Sequence, residues 1–252
     1  MRKIAVLAAL TASCLAAPAY AEDAEWTGAY IGVHAGYSGT KSDSSVVLGG
    51  AWSSESAALR NEVVTNWSAK QSLDDMNFGA QIGYNYDAGG AVIGLEADFS
   101  ILNGEDVVSS GPVPTTPFPS LTYNYGNRLD PKNQFSVKAK LGAPMGNTLI
   151  YAHGGWAWTR AEVGAEILSN GNYSKEGRVT ETFDGFTVGA GIEHKFSPAV
   201  SARIEYAYTD QGDVSYDTAY RAGSAFLTPA YTETFTQDLR SHAVRLGINF
   251  HF

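Results

Sequence analysis

Charged side chains in this sequence recur in pairs two residues apart, and the residues beside them are mostly apolar or small. Glu96 and Asp98 form one such pair, and Lys138 and Lys140 form another. Clusters of carboxylates and amines can transfer protons, line a path for ions, or neutralise one another as salt bridges. The full set has four acids and five bases: Glu96, Asp98, Lys138, Lys140, Glu193, Lys195, Arg203, Glu205 and Arg245.

Histidine and serine are the other candidates for chemistry. The five histidines include no pair with a ligand-like spacing; they are His34, His153, His194, His242 and His251. Ser241 and His242 are neighbours, but adjacent residues of a strand point to opposite faces. The sequence contains no Cys- or His-based metal motif, no phosphate-binding Gly loop and no nucleophile elbow. We therefore predict no catalytic residue, no metal site and no cofactor.

Each charged pair lies on a segment whose side chains alternate in character, which is the period of a β-strand. In residues 91–101 the apolar side chains share one parity, whereas Glu96 and Asp98 have the other. The same alternation predicts eight strands, at residues 26–38, 76–87, 91–101, 134–143, 148–160, 184–196, 200–209 and 241–252. The connections between them are alternately long and short.

Four long segments between the strands have weak patterning, so we predict loops there. They are residues 41–75, a Pro-rich segment after residue 101, residues 161–183 and residues 210–240. The Pro-rich segment includes Gly-Pro-Val-Pro-Thr-Thr-Pro-Phe-Pro at 111–119, which suits either a stiff loop or a polyproline II helix that binds a partner. A strand extension is the alternative for residues 161–183.

Residues 241–252 indicate what surrounds the sheet. Val244, Leu246 and Ile248 share a purely apolar face with Phe250 and Phe252. A soluble sandwich or lipocalin-like barrel can show the same alternation. Aromatic residues at strand ends and a Phe at the last position are instead typical of a membrane barrel, whose apolar face is outward. We therefore predict an all-β fold: an eight-stranded antiparallel transmembrane up-and-down β-barrel with four long extracellular loops and three short periplasmic turns.

This orientation assigns roles to two sets of residues. Aromatic side chains near the strand ends would form girdles at the membrane surfaces; they are Tyr84, Tyr86, Trp156, Trp158, Tyr206 and Tyr208. The charged set would fill a lumen that has room for side chains and little else. Residues on neighbouring strands are the expected partners: Glu96 and Asp98 with Lys138 and Lys140, and Glu193 and Lys195 with Arg203 and Glu205. Mutual pairing would make that set an electrostatic plug, and a narrow, gated ion path is the alternative.

The first residues predict export. Arg2 and Lys3 precede an apolar stretch and an Ala-Tyr-Ala cleavage site. We predict a signal peptide at residues 1–21 and a barrel domain at residues 22–252. No later apolar run reaches the roughly 18 residues that a transmembrane helix needs. With 17 basic and 26 acidic residues the formal net charge is −9, which argues against nucleic acid as a partner.

Short motifs in several strands resemble a known family. They are Trp-Thr-Gly-Ala-Tyr-Ile-Gly-Val-His-Ala-Gly-Tyr at 26–37, Phe-Gly-Ala-Gln-Ile-Gly-Tyr-Asn-Tyr at 78–86, Gly-Leu-Glu-Ala-Asp at 94–98, Tyr-Ala-His-Gly-Gly-Trp-Ala at 151–157 and Val-Arg-Leu-Gly-Ile-Asn-Phe at 244–250. In this order they resemble the small OmpA-like, porin-family barrels of alphaproteobacteria, which include immunogenic major surface proteins. The resemblance covers nearly every strand and none of the long loops.

The resemblance implies a location in the cell outer membrane of a Gram-negative bacterium, in contact with outer-membrane lipid and lipopolysaccharide. It implies that the barrel-assembly machinery recognises Phe250 and Phe252 during insertion. It also implies a structural and surface-interaction role, in envelope integrity or as a surface antigen or adhesin, with a host or environmental ligand at the loops. A low-conductance porin and a haem-binding surface receptor are the alternatives, since some relatives bind haem. We expect no enzyme activity.

Overall fold

Long antiparallel strands form the wall of the molecule. A computed structural model describes residues 25–252, so the predicted signal peptide at residues 1–21 lies outside the described residues. The strands are β1 Gly28–Gly50, β2 Ala69–Asp87, β3 Val92–Leu102, β4 Asp106–Pro114, β5 Thr122–Met145, β6 Thr148–Ser169, β7 Ser174–Ser197, β8 Val200–Asp217, β9 Ala219–Tyr220 and β10 Tyr231–His251. Two short helices follow β1: a 3₁₀ helix at Ala51–Ser54 and α1 at Ala57–Trp67.

Eight of these strands close into a barrel. Neighbours pair in the order β3, β2, β1, β10, β8, β7, β6 and β5, and β3 also pairs with β5, which completes the ring. All of these ladders are antiparallel. The two short strands lie outside the ring, because β4 pairs with β5 beyond the end of β3 and β9 pairs with β7. The predicted eight-stranded up-and-down barrel is confirmed.

The outward face of the barrel is apolar next to the short turns at residues 88–91, 146–147 and 198–199. On this outward face, which we call the apolar band, Val33 is 58% exposed and Leu95 is 64% exposed. The inward face of the same strands is polar and buried. A water-soluble barrel has the reverse arrangement, so this one is built for an apolar surrounding. In the part of the chain that the structure describes, no helix has the length and apolar character to cross a membrane.

The wall strands extend past the apolar band into the segments predicted as loops. β1 runs to Gly50 and β2 begins at Ala69, so much of residues 41–75 is strand. The third predicted loop is the upper part of the β6–β7 hairpin, as the alternative of a strand extension predicted, and most of the fourth belongs to β8 and β10. Residues 111–114 of the Pro-rich segment lie in β4. The prediction of long loops was therefore wrong in extent.

Two β-bulges explain why the sequence pattern did not predict that the strands continue. β5 has an extra residue between Pro131 and Asn133, and β8 has one near Gly212, where φ is +70°. A bulge shifts by one residue which side chains face inward. Phe135 is therefore exposed below the first bulge, whereas Tyr125, of the same parity, is buried above it. A strict alternation cannot be followed across either position.

The strand extensions and the two helices enclose a second interior, which we call the cap. On α1, Leu59, Val63 and Trp67 are buried at the spacing of one helix face. The helix begins after Ser56, whose side-chain oxygen accepts a hydrogen bond from the Leu59 amide at 3.2 Å. The 3₁₀ helix and the wall complete the core with Val46, Trp52, Ala69, Tyr123, Tyr125, Leu129, Ala161, Val163, Ala165, Ile167, Tyr173, Phe183, Tyr216, Phe235 and Leu239.

Candidate functional site

Charged side chains fill the barrel interior inside the apolar band. Lys138 lies among three carboxylates, with its Nζ 3.0 Å from Glu96, 3.0 Å from Asp98 and 3.1 Å from Glu205. None of these four side chains is more than 1% exposed. An ammonium group buried this deeply is stable only with such partners. We call this group, together with the charged side chains that contact it, the lumen network.

Two arginines reach into the same network from β8 and β10. Arg203 Nη1 lies 2.5 Å from Glu96, and Arg245 Nη1 lies 3.0 Å from Asp98. Asp98 also accepts a short hydrogen bond from the Ser136 hydroxyl. Each buried carboxylate is therefore shared between cations that come from different strands.

Lys140 connects Glu193 to the network. Its Nζ lies 3.4 Å from Glu96 and 3.9 Å from Glu193. Glu193 also accepts hydrogen bonds from the Ser201 hydroxyl at 2.5 Å and from Asn249 Nδ2 at 2.7 Å. Neutral donors thus bond one oxygen of the carboxylate that has the more distant cation.

Two tyrosines complete the network, and neither was predicted to have a role. Tyr30 Oη donates to Glu96 at 2.7 Å and accepts from Lys140 at 2.9 Å. Tyr151 Oη donates to Glu205 at 3.0 Å. Both tyrosines face inward, where most of their neighbours on the same strand are small. A large side chain with a hydroxyl group at such a position was the signal that could have identified them.

The sequence predicted that Glu193 and Lys195 on β7 pair with Arg203 and Glu205 on β8, and this prediction was wrong. Glu193 and Arg203 lie opposite each other in the ladder, but Arg203 instead extends across the lumen to Glu96. Lys195 has no carboxylate within 4.0 Å among residues 25–252. The cause is the narrow bore of an eight-stranded barrel, where a partner across the lumen is as close as one on the next strand.

Lys195 belongs to a floor beneath the network. Its Nζ donates to the backbone oxygen of Glu25 at 2.5 Å and lies 4.9 Å from the centre of the Trp26 ring. Trp26 is 1% exposed and packs in an apolar cluster with Leu149 and Tyr151. The lower end of the lumen is therefore closed by an indole ring.

Above the network, hydroxyl and amide side chains form a neutral layer. Gln134 Nε2 donates to Thr159 Oγ1 at 3.1 Å, and Gln211 Nε2 donates to the same oxygen at 3.2 Å. The cavity in this layer has a volume of about 10 Å³, which is room for about one water molecule. The layer separates the lumen network from the apolar core of the cap.

The cap holds a buried carboxylate of its own, at a position that the sequence placed in a loop. Glu233 is fully buried and accepts hydrogen bonds from Trp52 Nε1 at 2.5 Å and from the Tyr173 hydroxyl. Its other oxygen accepts from Thr218 Oγ1 at 2.6 Å and from Lys175 Nζ at 2.5 Å. These contacts attach the 3₁₀ helix to β7 and β10.

Buried phenols surround this carboxylate. Burial raises the pKa of Tyr123 to about 12. Burial and the charge of Glu233 raise the pKa of Tyr173 above its ordinary value. Both groups therefore remain protonated in the folded cap at any physiological pH.

The histidines do not converge. His34 bonds Gln81 and Ser100 inside the barrel, whereas His242 faces outward and bonds the Tyr206 hydroxyl at 2.7 Å. Ser241 faces the interior, on the opposite side of β10 from His242. Within residues 25–252 no group of three or more His, Cys, Asp or Glu side chains is arranged to hold a metal ion.

The aromatic residues predicted to form girdles face outward at two levels. Tyr84 and Tyr86 are exposed at the end of β2 next to the turn at residues 88–91. The others lie higher on β6 and β8 and are Trp156, Trp158, Tyr206 and Tyr208. Phe250 and Phe252 are exposed at the lower rim, where the Phe252 amide donates to the Ala29 carbonyl at 2.9 Å. Their recognition during insertion stays a prediction.

Known outer-membrane proteins share this sequence pattern. A 22 kDa outer membrane protein of Rhizobium leguminosarum bv. viciae is 30% identical over 177 residues, which cover 69% of this chain and 66% of that protein, just under two thirds. A 31 kDa outer-membrane immunogenic protein of Brucella melitensis biotype 1 is 26% identical over 238 residues, which cover 90% of this chain and 84% of that protein.

Two solved structures of bacterial surface proteins also align with most of this chain. OprG from Pseudomonas aeruginosa aligns with a TM-score of 0.46 and 13% identity, over 91% of this chain and 98% of that one. Neisserial surface protein A aligns with a TM-score of 0.39 and 14% identity, over 90% and 98%. The model of the family described as outer membrane protein beta-barrel domain matches residues 5–252. The chain therefore belongs to this family, and it is an outer-membrane β-barrel protein.

Proposed function

We propose that the protein is a closed barrel with a structural role in the outer membrane and a surface-interaction role carried by the cap. The filled interior is the observation that supports closure. The Trp26 floor, the lumen network, the neutral layer and the apolar cap core follow one another along the axis. An ion would have to displace buried and paired charges to pass, at a cost of several kcal/mol.

Conductance measurements on the refolded protein test closure. We expect no steady single-channel current in a planar bilayer, because every level of the interior is occupied. A variant in which residues 51–68 are replaced by a short turn should also stay closed, since the network and the floor remain. A channel-forming protein added to the same bilayer verifies the recording. Steady current through the parent would favour the porin alternative and refute closure.

The surface role follows from the position of the cap. The cap lies at the end of the barrel opposite the short turns, which is the extracellular end in this class of barrel. The Brucella relative is named an immunogenic protein, and we infer that the cap is the surface that partners or antibodies would meet. No catalytic group is part of this proposal.

Labelling of intact cells tests the position of the cap. Asn66 is an exposed residue of α1, whereas Ala88 is exposed in a short turn at the other end. A membrane-impermeant maleimide should label Asn66→Cys on intact cells and should label Ala88→Cys only after lysis. The reverse result would place the cap in the periplasm and refute the surface role.

A further inference from the structure

Large apolar side chains are exposed at the end of the cap that lies farthest from the short turns. Phe118 is 50% exposed in the loop between β4 and β5. Phe226 and Leu227 are 56% and 54% exposed in the loop between β9 and β10. Leu121 is half-buried in the first of these loops. We call these four residues the apolar tip; an exposed apolar patch on a folded protein marks a site of interaction.

Contacts through the β6–β7 loop hold the apolar tip together. Leu121 and Phe226 approach the same point, because a side chain on Gly171 would lie 3.6 Å from the one and 3.8 Å from the other. Asn170, beside Gly171, donates from Nδ2 to the Ser120 carbonyl at 2.6 Å. The apolar tip is therefore one surface assembled from three loops.

The backbone at Phe226 is strained. Its φ is +63°, in the left-handed region that large side chains rarely adopt. The Tyr220 hydroxyl donates to the Phe226 carbonyl at 3.0 Å and helps to hold this conformation. Strain of this kind persists only where the surrounding structure imposes it, and it concentrates at functional sites. Here the imposed conformation leaves a phenyl ring in water, where burial gives it little stabilising effect.

The three loops of the apolar tip carry no charged residue. Residues 107–127, 167–174 and 222–232 are all uncharged, in a chain whose formal net charge is −9. Charged side chains at the edge are engaged: Glu62 on α1 accepts from the Thr116 amide at 3.0 Å, and Arg221 bonds Glu166. Covering the apolar tip with an apolar surface would therefore strip no charge of its water.

Carbonyl groups of the apolar tip find their partners within the cap. The Phe118 carbonyl accepts from the Leu121 amide and from the Thr115 hydroxyl, both at 2.8 Å. The Leu121 carbonyl accepts from the Thr115 amide at 2.9 Å, and the Phe226 carbonyl has the Tyr220 hydroxyl. Backbone groups without partners are costly in an apolar medium. The loops are therefore built to meet such a medium.

We propose that the apolar tip inserts into the surface of a neutral phospholipid bilayer that belongs to another cell. The bacterium's own outer membrane surrounds the apolar band, at the other end of the strands. Phe and Leu side chains bury about 5–10 Å into the boundary between head groups and acyl chains. A tip without charge offers a protein partner little basis for recognition, whereas lipid requires none. An anionic bilayer would find no basic residue in the tip.

The proposal rests on the surface role proposed above, since it names the surface that the cap meets. Flotation of the whole protein with vesicles tests it. The protein is refolded into nanodiscs, which leave the cap free, and is mixed with phosphatidylcholine vesicles with or without phosphatidylserine. Empty nanodiscs give the background.

The test variant is Phe118→Ser with Phe226→Asn, because Asn tolerates a positive φ better than most residues. A second variant, Leu227→Ser, leaves the strained position unchanged. The matched control is Val47→Thr with Val107→Thr, which removes two exposed apolar side chains from the outer wall of the cap. All variants should unfold at the same temperature as the parent.

We expect the parent to float with phosphatidylcholine vesicles and the test variant to bind about 20-fold more weakly, from roughly fivefold for each half-exposed ring. Leu227→Ser should weaken binding about fivefold, and the control by less than about twofold. A parent that does not float would overturn the proposal, as would an equal loss in the control or binding that requires phosphatidylserine. Association of the nanodiscs with one another without vesicles would show a site for a second copy instead.

The surface role and membrane insertion can fail separately. Nanodiscs leave the cap free whichever way the barrel faces in the cell, whereas maleimide labelling of Asn66→Cys depends on that orientation. Labelling on intact cells without flotation would refute insertion alone.

Discussion

The barrel has one continuous wall and two opposite interiors. Within the apolar band the interior contains ion pairs, such as Lys138 with Glu96, whereas within the cap it contains apolar side chains such as Phe235 and Trp67. Lipid outside the band gives no hydrophobic reason to bury apolar groups inside, because both environments are equally apolar. Water surrounds the cap, so burial there is favourable by about 25 cal/mol per Å². The surroundings thus decide which kind of core the same strands enclose.

Breaking the lumen network should have the largest effect on stability. Lys138→Met keeps most of the side-chain volume and leaves three carboxylates without their shared cation. We expect a loss of about 3–5 kcal/mol in the free energy of unfolding, less if water enters the lumen. Urea unfolding in detergent, followed by the shift between folded and unfolded bands on unheated gels, measures it.

A double variant sharpens this prediction. Adding Glu205→Gln to Lys138→Met removes the charge of one carboxylate that has lost its cation. The double variant should therefore lose less free energy of unfolding than the sum of the two single variants. Additive losses would mean that the two charges do not interact. Neutral single variants would refute the lumen network as a source of stability.

Removing the charge of the cap carboxylate should have a smaller effect. Glu233→Gln leaves one cation, Lys175, without its partner, and three neutral donors remain nearby. We expect a loss of about 1.5–3 kcal/mol, confined to the cap. Faster hydrogen exchange in residues 231–239 with unchanged exchange in residues 243–249 would show this. Equal effects in both ranges would contradict two separable interiors.

The proton of Tyr123 should make the smallest of these contributions to the stability of the cap, and alkaline pH removes it. Because burial raises the pKa of Tyr123 to about 12, its proton stays bound in the folded state while the unfolded chain releases it above its ordinary pKa of about 10. The part of the cap's stability that depends on this proton is therefore complete below pH 10 and declines as the pH rises towards 12, by about 1 kcal/mol at pH 11. Tyr173, whose pKa is also raised, adds a loss of its own. Hydrogen exchange of the cap at pH 9 and pH 11 measures the change, and Tyr123→Phe should reduce it.

The lumen could be predicted from the sequence because lipid enforces a strict alternation. Every charged residue between apolar neighbours had to face inward, and the inward placement of Lys138 or Arg245 required no knowledge of the partner. The partners could be derived only in part. Neighbouring strands predict that Glu96 and Asp98 contact Lys138, and they do. Arg203 lies opposite Glu193 in the ladder but bonds Glu96 across the lumen. The choice between these partners depends on the width of the closed barrel, which the sequence does not show.

The cap could not be predicted, for physical reasons that individual residues show. Above the band the outward side chains become polar while the inward ones become apolar, as at Glu162 and Val163 on β6. The bulges beside Lys132 and Gly212 then shift the inward parity. Glu233 lies in a stretch without a regular pattern, and its four partners come from sequence positions as distant as Trp52.

The path of β10 has a kinetic consequence. This strand carries Glu233 and Phe235 in the cap as well as Arg245 and Asn249 in the lumen, and it is the strand that joins β1. Neither interior is complete before β10 has paired with β1 and β8 along its whole length. We therefore expect membrane insertion to end in one cooperative closing step. An intermediate with a complete cap and an unpaired edge between β1 and β10 should not accumulate.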